Sequence, residues 1–358
     1  MEPPVQRPSR AQYERLRAEI RTVVGSFTGY FGPSRFVELL GDPAGLQCFL
    51  TLIRPGSPTS GAVELMFSLL KDALTPMDGV VVVGGVYSEK FRVPDEIDGL
   101  ATYMGMPEAQ VEMLKEVSRA TAKVDGVAVQ DGYELWLHVM AFSVECAWSV
   151  VQIGHKSVLR RLYLWSSRRA AERDLVDEPH TLILSDSRAR YCLDFTHSMN
   201  WELRRSSVEV LREGLGRLRR VAASYRPREQ RSLLEYVPDL QAEENPLTTP
   251  VRVNWRVLEG LCKDVPEDFR DLLMRRGVGV ATLRFLAICA NRLYDVTPTL
   301  EDRAVVEARA APIGDDSEQL CYDLLEAIRY SKLNEMRRTE LEARVEGFID
   351  WYFGPRQN

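Results

Sequence analysis

Five ionisable side chains crowd one short stretch of the chain: Lys123, Asp125, Asp131, Glu134 and His138. With a helix starting near Asp131, residues 131, 134 and 138 stand at i, i+3 and i+7 on one stripe. Two carboxylates and an imidazole facing one way suit Mg²⁺ or Mn²⁺, with Asp125 closing the site from the preceding segment. The Lys123 ammonium could then steady a scissile phosphate. Metal-assisted phosphodiester cleavage needs this inventory: oxygen ligands, an activated water and a cation over the developing charge. Lys123, Asp125 and Asp131 are therefore the catalytic candidates, and Asp125, Asp131, Glu134 and His138 the metal ligands. A structural reading of the same residues has Asp131 capping a helix and His138 seated in a polar pocket.

A second polar group, His180, Asp186 and Asp194, lies on or beside two short apolar runs, 181–185 and 191–196. Where those strands met the first cluster they could add to a site; a solvated sheet face is the plain alternative. His155 and His197 stand alone. Nothing resembles a P-loop, so no nucleotide cofactor is expected, and Mg or Mn is the one cofactor the pattern suggests.

The sharpest local pattern is in 265–288, which reads as helix, Gly-Val-Gly turn, helix. Phe269, Leu272 and Leu273 share one face, Leu283, Leu286, Ala287 and Ala290 answer from the other helix, and Val278 plugs the gap. The pattern resembles the helix-hairpin-helix of DNA repair and recombination proteins, in which turn amides and a helix N-terminus meet a backbone phosphate. Arg276, Gly277, Val278, Gly279, Thr282 and Arg284 are its DNA-binding candidates, with Arg275 adding charge. A purely structural helix pair uses the same turn.

An arginine-rich stretch precedes it. Nine Arg and four Glu fall between Trp201 and Arg231, and Arg205, Arg212 and Arg219 recur near heptad spacing as a basic stripe. With Arg160, Arg161, Arg168 and Arg169 upstream, the stripe could track phosphates, or it could be a solvated face.

The elements that must position these groups follow from periodicity. Residues 1–12 read as a tail, helical spacing begins near Ala11 and breaks from Gly25 to Gly32, and 54–61 is a loop before a helix over 62–74. Four valines at 80–83 read as a strand buried on both faces, before a glycine pair. Pro94 and Pro107 open two helices. Runs 139–142 and 148–153 make one hairpin, and 181–185 with 191–196 another. Beyond these, 201–224 is one helix, 239–250 an acidic linker, and 254–353 nearly all helical with a break at 312–314. The fold class is α+β: a mixed, sheet-containing first half (13–198), an arginine-rich helix and linker (199–250), and a helical part (251–353) carrying the hairpin at 266–293. The formal net charge of −6 excludes a wholly basic binder, no apolar run reaches 18 residues, and six scattered cysteines suit a reduced, cytoplasmic setting.

Most of the chain, about 34–335, resembles the prokaryotic family known as domain of unknown function 763. The resemblance rests on the blocks at 122–133 (Ala-Lys-Val-Asp-Gly-Val-Ala-Val-Gln-Asp-Gly-Tyr), 148–152 (Trp-Ser-Val-Val-Gln), 178–180 (Glu-Pro-His), 193–196 (Leu-Asp-Phe-Thr) and the hairpin at 277–279. Family members open with a His-Gly-Gly-Lys block that is missing here, and a second such block is replaced by 306–311. The lysine expected after Gly84 and Gly85 is Val86, and Glu134 replaces a glutamine. The resemblance implies a scaffold that has shed phosphate-directed cations. Three functions follow: a sequence-nonspecific DNA binder in repair or recombination, a metal-dependent endonuclease or its catalytically degenerate homologue, and a structural adaptor acting on a protein partner or as a homo-oligomer. No membrane partner is expected.

Overall fold

The four valines alternate between two cores. In the computed structural model, which describes residues 8–53, 60–224, 245–249 and 251–354, Val80 and Val82 pack into one apolar cluster and Val81 and Val83 into another. A strand can do that only inside a sheet covered on both faces.

The chain begins with helices α1 (Arg10–Phe31), α2 (Pro33–Gly41), α3 (Pro43–Leu50) and α4 (Ser60–Ala73). Strand β1 (Val80–Val86), helices α5 (Val93–Tyr103) and α6 (Glu108–Lys123), a π-helical turn (Val124–Ala128) and β2 (Val129–Gln130) follow. Next come β3 (Glu134–Ser143), β4 (Trp148–Lys156), β5 (Leu159–Ser166), α7 (Ser167–Glu172), β6 (Leu182–Ser185) and β7 (Leu193–Asp194). Helices α8 (Trp201–Arg212), α9 (Leu215–Ser224), α10 (Trp255–Lys263), α11 (Phe269–Met274), α12 (Val280–Tyr294), α13 (Ser317–Arg329) and α14 (Glu335–Phe353) complete it.

Five strands form an antiparallel sheet in the order β1-β3-β4-β5-β6, and β2 pairs with β7 in a two-stranded ladder. One face carries Leu137, Val139, Ala141, Val151 and Leu164 against α1–α4 and the returning pair α13–α14. The other carries Met140, Phe142, Val150, Tyr163 and Trp165 against α5, α6 and α8–α12. The α+β architecture, with its sheet early and its helices late, is thus as read. Among the described residues no helix is long and apolar enough to cross a membrane.

Several elements differ from expectation. Helix α1 runs straight through Gly25 and Gly29, because both lie on its outer face while Ile20, Val23, Val24 and Phe27 are buried. Packing of that stripe outweighs a glycine cost of about 1 kcal/mol each. The expected helix at 131–138 is instead a turn and a strand: Gly132 takes φ 86°, the Asp131 side chain accepts the Tyr133 amide at 2.9 Å, and β3 begins at Glu134. A period of two then governs, sending Leu137 and Val139 to one core and His138 and Met140 to the other face. Residues 181–185 and 191–196 do not form a hairpin. An extended segment inserts between them: Val305 bonds Ile183 and Ser185, and Leu300 bonds Cys192. The arginine helix breaks at Gly214, φ 79°, and much of 295–316 is irregular rather than helical. The N-terminal tail and the linker at 239–250 lie largely outside the described residues.

Strand β1 is a sheet edge with its end clamped. Lys71 Nζ donates to the Gly84 carbonyl at 2.7 Å, and Glu96 accepts the Gly84 amide at 3.0 Å. Gly84 has φ 89°, and a Cβ there would overlap the His138 carbonyl. Gly84→Ala is expected to lower stability by roughly 2–4 kcal/mol, read as a shifted urea midpoint at unchanged slope.

Candidate functional site

The π-turn after α6 lowers Asp125 onto the inner sheet face, where it is fully buried. His180 Nε2 lies 2.6 Å from Asp125 Oδ1, Trp165 Nε1 donates to Oδ2 at 2.9 Å, and Gln152 donates to the same oxygen. Burial raises the Asp125 carboxyl above its ordinary pKa, and His180 and Trp165 offset part of that. Six residues on, Asp131 receives Arg161 Nη1 at 2.8 Å and Tyr163 Oη at 2.6 Å. Burial raises this carboxyl too, against the pull of Arg161. Every carboxylate oxygen of the two acids thus has at least one protein partner.

The remaining members of the sequence cluster go elsewhere. Glu134 is exposed at the start of β3, and His138 is buried with Nε2 2.9 Å from Ser118 Oγ. Asp125, Asp131, Glu134 and His138 therefore do not converge, and among the described residues no group of three or more His, Cys, Asp or Glu is arranged to hold a metal ion. The helix needed for the i, i+3, i+7 stripe is a strand, so the shared face is lost. Lys123 reaches no carboxylate of this cluster; its Nζ donates to the Val278 carbonyl at 2.6 Å, and burial lowers its pKa.

The second polar group divides as well. His180 joins Asp125, Asp186 accepts the Arg160 amide at 2.8 Å, and Asp194 takes Arg303 Nη2 at 2.6 Å with the Thr196 hydroxyl and amide. Burial would raise the Asp194 pKa, but Arg303 and Thr196 hold it below the ordinary value.

The largest departure is Arg161. Read as one of a row of surface cations, it is 1% exposed. Its guanidinium spans Asp131 and Asp302, with Nη2–Oδ2 2.5 Å to the latter, and lies 4.4 Å from the Tyr133 ring centroid. Burial alone would lower its pKa, and the two carboxylates more than reverse that. Asp302 and Arg303 carried no local signal, since neither sits in a periodic element. Arg161 did carry one: it is two residues before Tyr163 and four before Trp165 on a strand, hence on their inward face.

Where the hairpin was expected, two helices, α11 and α12, are joined by a turn. Helix α11 ends at Met274, Gly277 turns left-handed with φ 84°, Val278 is buried, and α12 starts behind Gly279, which provides no side-chain cap. A Cβ on Gly277 would meet Val257 of α10 at 2.8 Å, whereas one on Gly279 would meet nothing within 4 Å. Lys123 holds Val278 O and Gln130 Nε2 holds Val280 O at 3.1 Å from beneath. Arg276 is exposed, Arg275 pairs with Asp264 and Asp271, Arg284 is drawn in to Gln130 Oε1 at 3.0 Å, and Thr282 is buried. Of the arginine stripe, Arg205, Arg212 and Arg219 are exposed, Arg212 pairing with Glu209 and Arg219 standing over the Trp255 ring of α10. Arg204 turns inward to Asp177, and Arg226, Arg228 and Arg231 lie outside the described residues.

An antiparallel sheet between helical layers, with a buried carboxylate–arginine network bracing a surface helical hairpin, defines the class of this α+β protein. The chain belongs to the family described as "Protein of unknown function (DUF763)", which matches residues 12–310. No curated protein and no solved structure matches it.

Two outcomes follow from the buried charges. Arg161→Met leaves Asp131 and Asp302 without their shared cation and is expected to cost about 3–5 kcal/mol in a denaturant titration. His138 is neutral in the fold, its pKa lowered from 6.5 to about 4 by burial. The unfolded chain takes its proton first as pH falls, so His138 removes stability between about pH 6.5 and 4 and nothing further below that, roughly 3 kcal/mol in all. Stability measured at pH 7.5 and 4.5 should therefore fall more steeply in the wild type than in His138→Gln.

Proposed function

We propose that this protein binds DNA without sequence preference, in repair or recombination, gripping the phosphate backbone through a helix-hairpin-helix at 266–293. The observation that carries the reading is the uncapped start of α12 behind Gly279, next to exposed Arg276. The first amides of a helix have no partner within it, and the dipole there favours an anion. Lys123 and Gln130 turn the carbonyls of Val278 and Val280 inward, which keeps the turn braced from below. Arg219 and Trp255 continue the surface through α10, whose Val257 lies against Gly277. Contacts of this kind neutralise phosphates and fix orientation while leaving base edges unread.

Gly279→Asp separates the hairpin reading from simple misfolding. Gly279 has φ −141°, which any residue adopts, so an aspartate would cap α12 and repel a phosphate at once. The thermal midpoint should hold or rise while affinity for a labelled duplex falls about tenfold or more. Anisotropy titrations over a salt series read both, with wild-type affinity declining linearly in log–log form. Equal duplex affinity in the two proteins would remove the hairpin from the function.

A further inference from the structure

At one end of the five-stranded sheet, where β1 and β4 finish and β3 and β5 begin, three rings are in contact and a fourth stands on the turn that follows β1. Tyr87 is 68% exposed and meets Trp136 edge-on, with centroids 6.1 Å apart. Trp136 stacks on His155 at 4.5 Å and 22°. Phe91, 75% exposed, lies under Lys90 Nζ at 5.0 Å. Burial and the nearby Arg160 lower the His155 pKa to about 4, so at neutral pH it is an uncharged ring.

Two features set this group apart from scattered surface aromatics. Tyr87 holds φ 51°, a conformation in which a bulky residue is strained and glycine is not. The cations beside it are anchored by neutral groups: Lys90 donates to the Leu135 carbonyl, and Arg160 Nη1 to the carbonyls of Ser157 and Leu159 at 3.2 and 3.1 Å. Glu89, the nearest acid to Phe91 in sequence, turns to Lys71 at 3.5 Å. Planar faces with anchored positive charge at their margin match unpaired bases on a charged backbone, and a strained aromatic points to a selected role.

We propose that Tyr87, Trp136, His155 and Phe91 form a stacking platform for single-stranded DNA, flanked by Lys90 and Arg160. The platform deepens the DNA-binding reading, on which it rests, by making the preferred substrate one with an unpaired strand. Leu135 and Trp136 follow Glu134 at the start of β3, five and six residues beyond the Gln130 that braces the hairpin, so one chain segment serves both surfaces.

The test uses the full chain and fluorescently labelled oligo-dT. Tyr87→Gly combined with Phe91→Ser should weaken oligo-dT binding about fivefold or more, the smallest loss expected when a stacking ring is removed. Duplex affinity should not move, and the thermal midpoint should not fall, because glycine relaxes φ 51°. Tyr87→Trp, which keeps a ring, should retain binding and covers the case of a destabilised double variant. Equal oligo-dT affinity in wild type and double variant overturns the platform, as does an absence of oligo-dT binding at low salt or binding of oligo-rU alone. Loss of duplex binding in Gly279→Asp with oligo-dT binding intact supports both surfaces. Oligo-dT binding through the platform with no duplex binding at all removes the hairpin reading and leaves the platform standing.

Discussion

A guanidinium sealed inside the sheet constrains the rest of this molecule. Moving an ion of that size out of water costs several kcal/mol unless counter-charges and hydrogen bonds surround it. Arg161 obtains its counter-charges from Asp131, 30 positions earlier, and Asp302, 141 positions later. The fold must therefore deliver the turn after β2 and the extended segment after α12 to one point on β5. With that requirement met, Asp302 also receives the Ala189 amide at 2.6 Å, Arg188 donates to Ala304 O at 2.8 Å, and Arg303 reaches Asp194. An apolar residue at 161 would leave this register less well specified.

The same network reaches the surface without any contact of its own there. Asp125 and Asp131, each pinned beneath the sheet's aromatic side chains, fix the short backbone run between them. Lys123 and Gln130 flank those acids in sequence and hold the two sides of the hairpin turn. Turn geometry thus draws on buried electrostatics as well as on the turn's own left-handed Gly277. A turn built this way is held rigid from beneath, and in the proposed role that rigidity would lower the ordering cost of association.

Much of the fold was legible because it is written in local periods. The valine run, the 139–142 and 148–153 strands, the helix starts at Pro94 and Pro107, and the Gly-Val-Gly hairpin each announce themselves within a dozen residues. The polar interior was not legible, for a physical reason. Gln152 and His138 occupy inward strand positions where an apolar residue is expected, and nothing within their own segments shows that Asp125 and Ser118 will meet them. Arg161 shares its sign and neighbours with the exposed Arg160, so composition groups them although the pleat separates them. Asp131 to His138 fits a helical stripe as well as a strand, and Gly132 at φ 86° decides between the two only once the turn is seen. Clusters proposed from spacing inside one segment thus dissolved, while the contacts that replaced them join distant segments.

The threading of 300–305 beside β6 bears on how the chain matures during translation. Val305 completes the outer side of β6, yet it leaves the ribosome 121 positions after Leu184, with which it bridges. Helices α13 and α14, which cover α1 and α3, emerge later still. At ordinary elongation rates the first apolar layer therefore waits several seconds or more for its lid. During that interval Arg161 lacks Asp302, and Phe27, Phe36 and Phe49 lack much of their cover. Until 317–353 has emerged, that apolar layer stays open to solvent, an exposure that a fold built from sequential, self-contained units would not carry.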